Sequence, residues 1–238
     1  MVAVVANPQD PAAPRRLTPP PPQVAAADWW RCLYRANLQP VSMVDESWWA
    51  SGLPMSLKNR MIAQPRGRRL LSRLLLEHVT DSAGPGWDFD LPLRRLLLLP
   101  PGVLQDLLCW MGAAAQADRL RSLVQREERH DWITALGAGI FEDVVHRAPL
   151  RLGVRLTRLE RTLTLPAEPL ERTVRLGAAC LGAAWRDDPV LAAQVCWRCP
   201  RPWASWFGQP SLFSASEGLS LTRKLLSERA PLWLPWFE

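Results

Sequence analysis

The sequence has few lysines and tyrosines, and it carries none of the common catalytic or nucleotide-binding signatures. Only Lys58 and Lys224 among the 29 basic residues are lysine, and Tyr34 is the single tyrosine. The patterns GxGxxG, GxSxG and HExxH do not occur, and neither does a Walker loop. Because phosphate-cradling loops, nucleophile elbows and zinc-protease helices need those residues at those spacings, we expect a protein that is not an enzyme and holds no cofactor.

Long apolar runs and metal-ligand clusters are also missing. No uncharged apolar stretch approaches the roughly 18 to 20 residues that span a bilayer, and the first ten residues lack the basic start of a secretory signal. His78, His130 and His146 are scattered, so we expect no metal site. His130 and Asp131 follow Glu127 and Glu128 and are interpreted as a charged, exposed helix junction.

The five cysteines are interpreted as free thiols. They are Cys32, Cys109, Cys180, Cys196 and Cys199. An odd number scattered through predicted helices is typical of a reducing compartment, so we expect a cytoplasmic protein. Cys196 and Cys199 form a CxxC pair, but the pair lies at the end of a predicted helix, where the dipole raises a thiol pKa, and no second pair exists to complete a zinc site.

Composition indicates a folded chain. Of the 238 residues 48% are hydrophobic, and 13 are tryptophan, a residue type that suits both cores and interfaces. The formal net charge of +6 permits an acidic protein, a phosphate backbone or an anionic membrane as partner, and selects none of them.

Proline and hydrophobic periodicity predict a mainly α-helical, compact multi-helix bundle with a disordered, proline-rich N-terminal tail. Residues 1–26 are the predicted tail, and residues 27–238 the predicted single helical domain, with its core at 27–150 and a C-terminal helical part at 151–238. A first helix is expected to begin at Asp28 as its cap. The basic stretch 56–79 is expected to form two helices divided at Pro65 and Gly67, and Gly112 is expected to end the helix that follows Pro101.

The second half contains local start signals and one ambiguous stretch. Residues 151–165 alternate in part and leave a small hairpin open as an alternative to helix. Asp188 followed by Pro189 predicts a helix start, and the spacing of Ser214 and Glu217 predicts a capping box. The proline-broken end, residues 230–238, is expected not to be helical.

Two sets of residues are predicted to bind partners. The first is a run of arginines facing acidic groups, and the second is tryptophans near the two ends of the domain. The arginines are Arg66, Arg68, Arg69 and Arg73, and the tryptophans are Trp29, Trp48, Trp49, Trp233 and Trp236. The alternatives are a solvated basic helix face, and indole rings wedged between packed helices or docked back on the domain.

A diffuse series of apolar, glycine, proline and tryptophan positions resembles a known family over residues 29–150. The positions are Gln39-Pro40-Val41, Glu46-Ser47-Trp48-Trp49, Leu53-Pro54, the Leu-Pro step at Leu99-Pro100, Met111-Gly112, Arg119-Leu120-Arg121, Leu136-Gly137, Phe141 and Arg147-Ala148-Pro149-Leu150. The pattern is similar to the SctK family, the YscK/PscK/MxiK/OrgA-type accessory proteins of bacterial type III secretion systems, which are associated with virulence.

The resemblance implies a function without catalysis. It implies a cytoplasmic adaptor of the sorting platform, at the cytoplasmic face of the bacterial inner membrane. The implied partners are the cytoplasmic domain of an SctD-type inner-membrane ring protein and an SctQ-type pod protein, with no small-molecule substrate. The alternative function is a basic helical nucleic-acid-binding module, which would need side chains aimed at base edges and salt-dependent binding.

Overall fold

The computed structural model is built from helices. It describes residues 18–49, 54–77, 89–152, 164–185, 188–208 and 211–238. These residues contain no β-strand, so the prediction of a mainly α-helical fold is confirmed. Ten α-helices lie within the described ranges: α1 (Ala26–Leu38), α2 (Met55–Ala63), α3 (Pro65–Glu77), α4 (Pro101–Ala115), α5 (Ala117–Arg121), α6 (Arg126–Leu136), α7 (Ala138–Leu152), α8 (Pro169–Leu181), α9 (Pro189–Trp197) and α10 (Ala215–Arg229).

Short 3₁₀ helices connect the α-helices. They are Pro40–Met43, Glu46–Trp49, Pro92–Leu98, Gly182–Ala184, Arg201–Gly208 and Pro231–Phe237. Several begin with proline, whose fixed φ suits a first helical turn. The division of the basic stretch into α2 and α3 is confirmed, because α2 ends at Ala63 and Pro65 opens α3.

Helices α4 and α8 approach each other closely at two glycines, Gly112 and Gly177. A Cβ atom built on Gly112 would lie 2.7 Å from the carbonyl carbon of Thr173 and 2.9 Å from the amide nitrogen of Gly177. A Cβ atom built on Gly177 would in turn lie 2.8 Å from the carbonyl carbon of Leu108. Because α4 continues to Ala115, Gly112 lies inside this helix, and the prediction that it ends the helix is wrong. The missing side chain allows close backbone approach there.

The core continues from the two glycines into both ends of the chain. Leu104, Leu108 and Met111 of α4 are fully buried, as are Trp29 of α1 and Phe237 near the C-terminus. Helices of the predicted core and of the predicted C-terminal part thus share one hydrophobic cluster. Burial of large apolar side chains is the principal favourable term for such a fold.

The predicted tail ends earlier than residue 26. Thr18 is 3% exposed, its carbonyl oxygen accepts a hydrogen bond from Trp29 Nε1 at 3.1 Å, and its hydroxyl accepts one from the Phe89 amide at 2.8 Å. Thr18 therefore packs on the body, where it provides acceptors for the buried indole N–H of Trp29 and the amide of Phe89. Residues 1–17 lie outside the described residues.

Local capping follows the sequence signals at two of three helix starts. Asp188 accepts a hydrogen bond from the Leu191 amide ahead of Pro189, and Ser214 with Glu217 forms the predicted capping box. Asp28 does not cap α1, which begins at Ala26. Asp28 lies instead in the first turn, where its carboxylate pairs with Arg31 at 2.9 Å and interacts favourably with the helix dipole.

The C-terminal segment is helical, contrary to prediction. Residues Pro231–Phe237 form a 3₁₀ helix that includes Pro235, and they dock back on the domain. Arg95 Nη1 donates to the carbonyl oxygen of Trp236 at 3.0 Å, and Arg223 Nε donates to that of Phe237 at 2.8 Å. These side chains donate to carbonyl oxygens at the C-terminal end of the helix, which have no donor within the helix itself.

A charged cluster centred on Asp143 ties α7 to α4 and α10. Its carboxylate accepts a hydrogen bond from Trp110 Nε1 at 3.1 Å and pairs with Arg229 at 2.7 Å and Arg147 at 3.2 Å. The Asp143 side chain is only 9% exposed, so the paired cations compensate for its desolvation. The possible hairpin at 151–165 falls largely on residues 153–163, which lie outside the described residues.

Candidate partner-binding surfaces

A cavity of about 490 Å³ lies where α1, α3, the start of α4 and the C-terminal 3₁₀ helix meet. We name it the Arg68 pocket. Its polar wall is formed by Cys32, Arg35, Gln39, Ser42 and Arg68. Its apolar wall is formed by Met43, Leu98, Pro100, Pro101 and Trp233. Two of the predicted partner-binding residues, Arg68 and Trp233, therefore meet in one pocket, although 165 positions separate them in sequence.

The pocket carries positive charge. Its lining contains two guanidinium groups and no carboxylate. The Nε atom of Arg68 is buried and has no hydrogen-bond partner among the described residues. A buried donor without an acceptor is uncommon in folded proteins. Such a donor favours the arrival of an anionic acceptor.

A third guanidinium, that of Arg198, lies behind the lining residue Met43. Arg198 is 2% exposed, and its Nη2 atom lies 3.5 Å from the sulfur of Met43, which lines the pocket. Its Nε and Nη1 atoms have no partner within the described chain. Burial lowers the pKa of Arg198, because the charged form is desolvated.

The cysteines near this region are not activated. Burial raises the pKa of Cys32, and the charge of Arg35 opposes that shift only in part. Burial also raises the pKa of Cys196 to about 11 and that of Cys199 well above its ordinary value. Burial is thus the main cause of the raised thiol pKa values, in addition to the helix-end effect that the sequence suggests. The three thiols are therefore neutral at physiological pH.

Two predicted partner-binding tryptophans belong to the core. Trp29 is fully buried and Trp236 is 8% exposed, and their ring centres lie 5.7 Å apart. The prediction that Trp29 and Trp236 face a partner is therefore wrong, since the first and last helical segments pack on each other through these rings. Trp233 is half-buried, with its ring centre 5.2 Å from that of Trp236.

Trp48 and Trp49 are half-buried and serve the fold. The indole Nε1 of Trp48 donates to the carbonyl oxygen of Cys199 at 2.9 Å, which joins the 3₁₀ helix Glu46–Trp49 to the end of α9. The ring of Trp49 lies 5.7 Å from Nζ of Lys58, which is itself buried. A cation over an indole face at that distance is attracted by the ring.

The other arginines of α3 face outward. Arg66, Arg69 and Arg73 are exposed, and Arg73 pairs with Glu77 at 2.6 Å. Leu70 and Leu74 lie beside them on the helix and are 51% and 48% exposed. We call these five residues the α3 surface.

The sequence reasoning missed a row of exposed side chains on α1. Trp30, Tyr34 and Leu38 recur every four positions and are 38%, 40% and 40% exposed. Residues four apart lie on one helix face, so the spacing in the sequence contains the signal. Of the adjacent tryptophans Trp29 and Trp30, it is Trp30 whose ring faces outward. We call these three residues the α1 row.

Neither a metal-ligand cluster nor a membrane span occurs in the described ranges. No group of three or more His, Cys, Asp or Glu side chains there has the arrangement to hold a metal ion. None of the helices there combines the length and apolar character that crossing a bilayer requires. His130 and Asp131 are exposed beside a shallow groove, as predicted, but they lie within α6, so the prediction of a helix junction there is wrong.

A family comparison decides the relationship of the chain to known proteins. The model of the family described as YOP proteins translocation protein K (YscK) matches residues 32–200. The chain belongs to the YscK family. It is therefore a type III secretion protein, and the resemblance noted in the sequence is confirmed. No curated protein and no solved structure matches the chain significantly.

The YscK match reaches further than the resemblance over 29–150. It includes α8 and α9, and with them the glycine contact between α4 and α8. Of the Arg68 pocket it includes every lining residue except Trp233. The α3 surface lies within the YscK match, and the α1 row extends two residues before it, to Trp30.

Proposed function

We propose that this YscK-family protein is a non-catalytic adaptor of the cytoplasmic sorting platform of a type III secretion system. In this proposal it bridges the cytoplasmic domain of an SctD-type ring protein to an SctQ-type pod protein. The family match over residues 32–200 is the observation that supports the proposal. A bridge needs two binding surfaces, and we assign one to each partner.

The α3 surface is our candidate for the ring protein. Three exposed guanidinium groups lie along one side of α3 next to two exposed leucines, an arrangement that offers charge-assisted hydrogen bonds beside an apolar patch. The ion pair between Arg73 and Glu77 is solvent-exposed, and exposed pairs contribute little. Arg73 is therefore free to exchange Glu77 for a partner carboxylate at small cost. The expected partner surface is acidic.

The α1 row is our candidate for the pod protein. Trp30 and Tyr34 are amphipathic aromatic side chains, the type enriched among residues that dominate binding energy. Together with Leu38 they form an apolar stripe on a helix whose opposite face is anchored in the core by Trp29 and Leu33. A rigid helix presents such anchors with little loss of conformational entropy on binding.

Two variants of the full chain separate the partners. Arg66→Glu with Arg69→Glu should abolish co-purification with the ring domain and leave co-purification with the pod protein intact. Trp30→Ser with Tyr34→Ser should give the reverse pattern. The matched control is Arg60→Glu with Arg126→Glu, since both arginines are exposed outside the α3 surface and the net charge changes equally.

The outcomes are read at moderate salt, with circular dichroism confirming that each variant is folded. Loss of neither partner in either variant would contradict the assigned surfaces. A DNA mobility shift on the wild-type sample tests the nucleic-acid alternative. Retained DNA without binding of either secretion protein would overturn the adaptor proposal.

A further inference from the structure

The Arg68 pocket combines chemistry that the adaptor proposal does not use. Its lining includes the guanidinium groups of Arg35 and Arg68 and the half-buried apolar side chains of Met43 and Trp233. A volume of about 490 Å³ has the size of a ligand or side-chain pocket. Its occupant must therefore be partly anionic and partly apolar.

Unpaired donors favour an anion. The buried Nε of Arg68 lacks an acceptor, and so do Nε and Nη1 of Arg198, in the part of the chain that the structure describes. Arg198 is almost completely buried and contacts Met43 from behind the wall. A buried cation without a counter-ion is unfavourable, and its field acts more strongly through protein than through water. An arriving anion would relieve this cost.

The apolar lining favours a protein segment over a free inorganic ion. A free phosphate would pair with the guanidinium groups but leave the half-buried side chains of Met43 and Trp233 without contacts to the ligand. A carboxylate carried on a peptide with apolar neighbours satisfies both kinds of lining residue, since arginine binds carboxylates in a planar, bidentate geometry.

We propose that the Arg68 pocket binds a glutamate or aspartate side chain of an apolar protein segment, with the carboxylate on Arg68 and Arg35 and the flanking apolar side chains on Trp233 and Met43. The proposal rests on the pocket alone and holds whether or not the ring and pod proteins are the partners named above.

Cys32 lines the pocket and provides an internal probe. Iodoacetate and iodoacetamide alkylate a thiolate in the same way: the sulfur forms a bond to the methylene carbon and iodide leaves with the electrons of the C–I bond. The reagents differ in charge, since only iodoacetate carries a carboxylate. The ratio of their rates at one cysteine cancels the effect of the thiol pKa and reports the local affinity for a carboxylate.

Mass spectrometry of the full-length protein measures this ratio at each site. We expect the iodoacetate-to-iodoacetamide ratio to be at least about fivefold higher at Cys32 than at Cys196, which is half-buried and does not line the pocket. Arg68→Gln should reduce the ratio at Cys32 to that at Cys196, and Arg68→Lys should restore part of the difference. Arg35→Gln should act in the same direction if Arg68→Gln proves unstable.

Competition identifies the occupant. A capped Leu-Glu-Leu peptide should slow alkylation of Cys32, whereas its Leu-Gln-Leu counterpart and inorganic phosphate at the same concentration should not. Equal ratios at Cys32 and Cys196, measured at a pH high enough for both thiols to react, would overturn the proposal. Protection by phosphate as strong as that by the acidic peptide would assign the pocket to a free oxyanion and overturn the assignment to a protein segment.

Discussion

The contact between Gly112 and Gly177 sets the distance between α4 and α8, and a single methyl group tests it. In Gly112→Ala the new Cβ would lie 2.7 Å from the carbonyl carbon of Thr173, compared with a normal carbon–carbon contact of about 3.5 Å. The obstructing atoms are backbone, so a side-chain rotation cannot relieve the overlap. Overpacking of this kind costs about 3 kcal/mol at the upper end of its usual range.

The higher helix propensity of alanine offsets about 1 kcal/mol of that cost. The net loss is about 2 kcal/mol in the free energy of unfolding, which lowers Tm by about 4 to 8 °C for a chain of this length. Differential scanning calorimetry measures the shift. Gly177→Ala should cause a similar loss, because its Cβ would meet the backbone of Leu108.

Gly102→Ala is the matched control on the same helix. No atom lies within 4 Å of a Cβ built on Gly102, so this substitution should leave Tm unchanged or raise it slightly. If Gly112→Ala unfolds at the same temperature as Gly102→Ala, the close approach of α4 and α8 is contradicted.

Four further substitutions or measurements examine other parts of the protein. Trp29→Ala should lower the free energy of unfolding by about 3 to 5 kcal/mol in urea titration, whereas Trp30→Ala should change it by no more than about 0.5 kcal/mol; equal effects would contradict the assignment of Trp29 to the core. Asp143→Ala should cost about 2 kcal/mol, because it leaves an indole N–H and a guanidinium without their acceptor; a neutral result would show that this cluster does not stabilise the fold. Burial raises the pKa of Cys180 to about 12, so about one thiol in 10⁴ is ionised at pH 8 and native-state alkylation by iodoacetamide should be far slower than in urea; rapid native labelling would contradict its burial. Cys196→Ser with Cys199→Ser should leave secretion unaffected in a folded protein, since neither thiol is activated, and a large loss would revive a redox or metal role.

Local signals in the sequence predicted local structure well. The Ser214–Glu217 capping box, the Asp188 cap before Pro189 and the helix boundary at Pro65 each depend on residues within a few positions of one another. Their physical causes are hydrogen bonds to nearby amides and the fixed φ of proline. The fold class followed from the same periodicity that places apolar residues on one helix face.

Features that depend on distant residues were not predictable. In the local sequence Gly112 resembles a helix end. The reason for a glycine there is the packing of α8, whose Gly177 lies 65 positions further along the chain. Which of two adjacent tryptophans is buried depends on the angle at which α1 docks, so Trp29 and Trp30 could not be told apart. The last segment is helical because Arg95 and Arg223 donate to its carbonyl oxygens, a contact that no short pattern encodes.

The candidate surfaces also depend partly on local sequence and partly on contacts between distant residues. The four arginines of α3 lie close together in sequence, but helix geometry directs Arg68 into a pocket with Trp233 and leaves Arg66, Arg69 and Arg73 outside. The sequence placed these arginines and Trp233 on separate surfaces, and their binding of partners stays a prediction. The α1 row is detectable from its four-residue spacing, although the sequence does not show which ring of the pair Trp29 and Trp30 faces outward.

The adaptor proposal is tested most directly by assembling the complex from its parts. The full-length chain, the cytoplasmic domain of the ring protein and the pod protein would be mixed and analysed by size-exclusion chromatography with light scattering. We expect one species that contains all three proteins, and no association of ring domain and pod protein when the chain is left out. Mutually exclusive binding of the two proteins to the chain, or binding of neither, would contradict the proposed bridge.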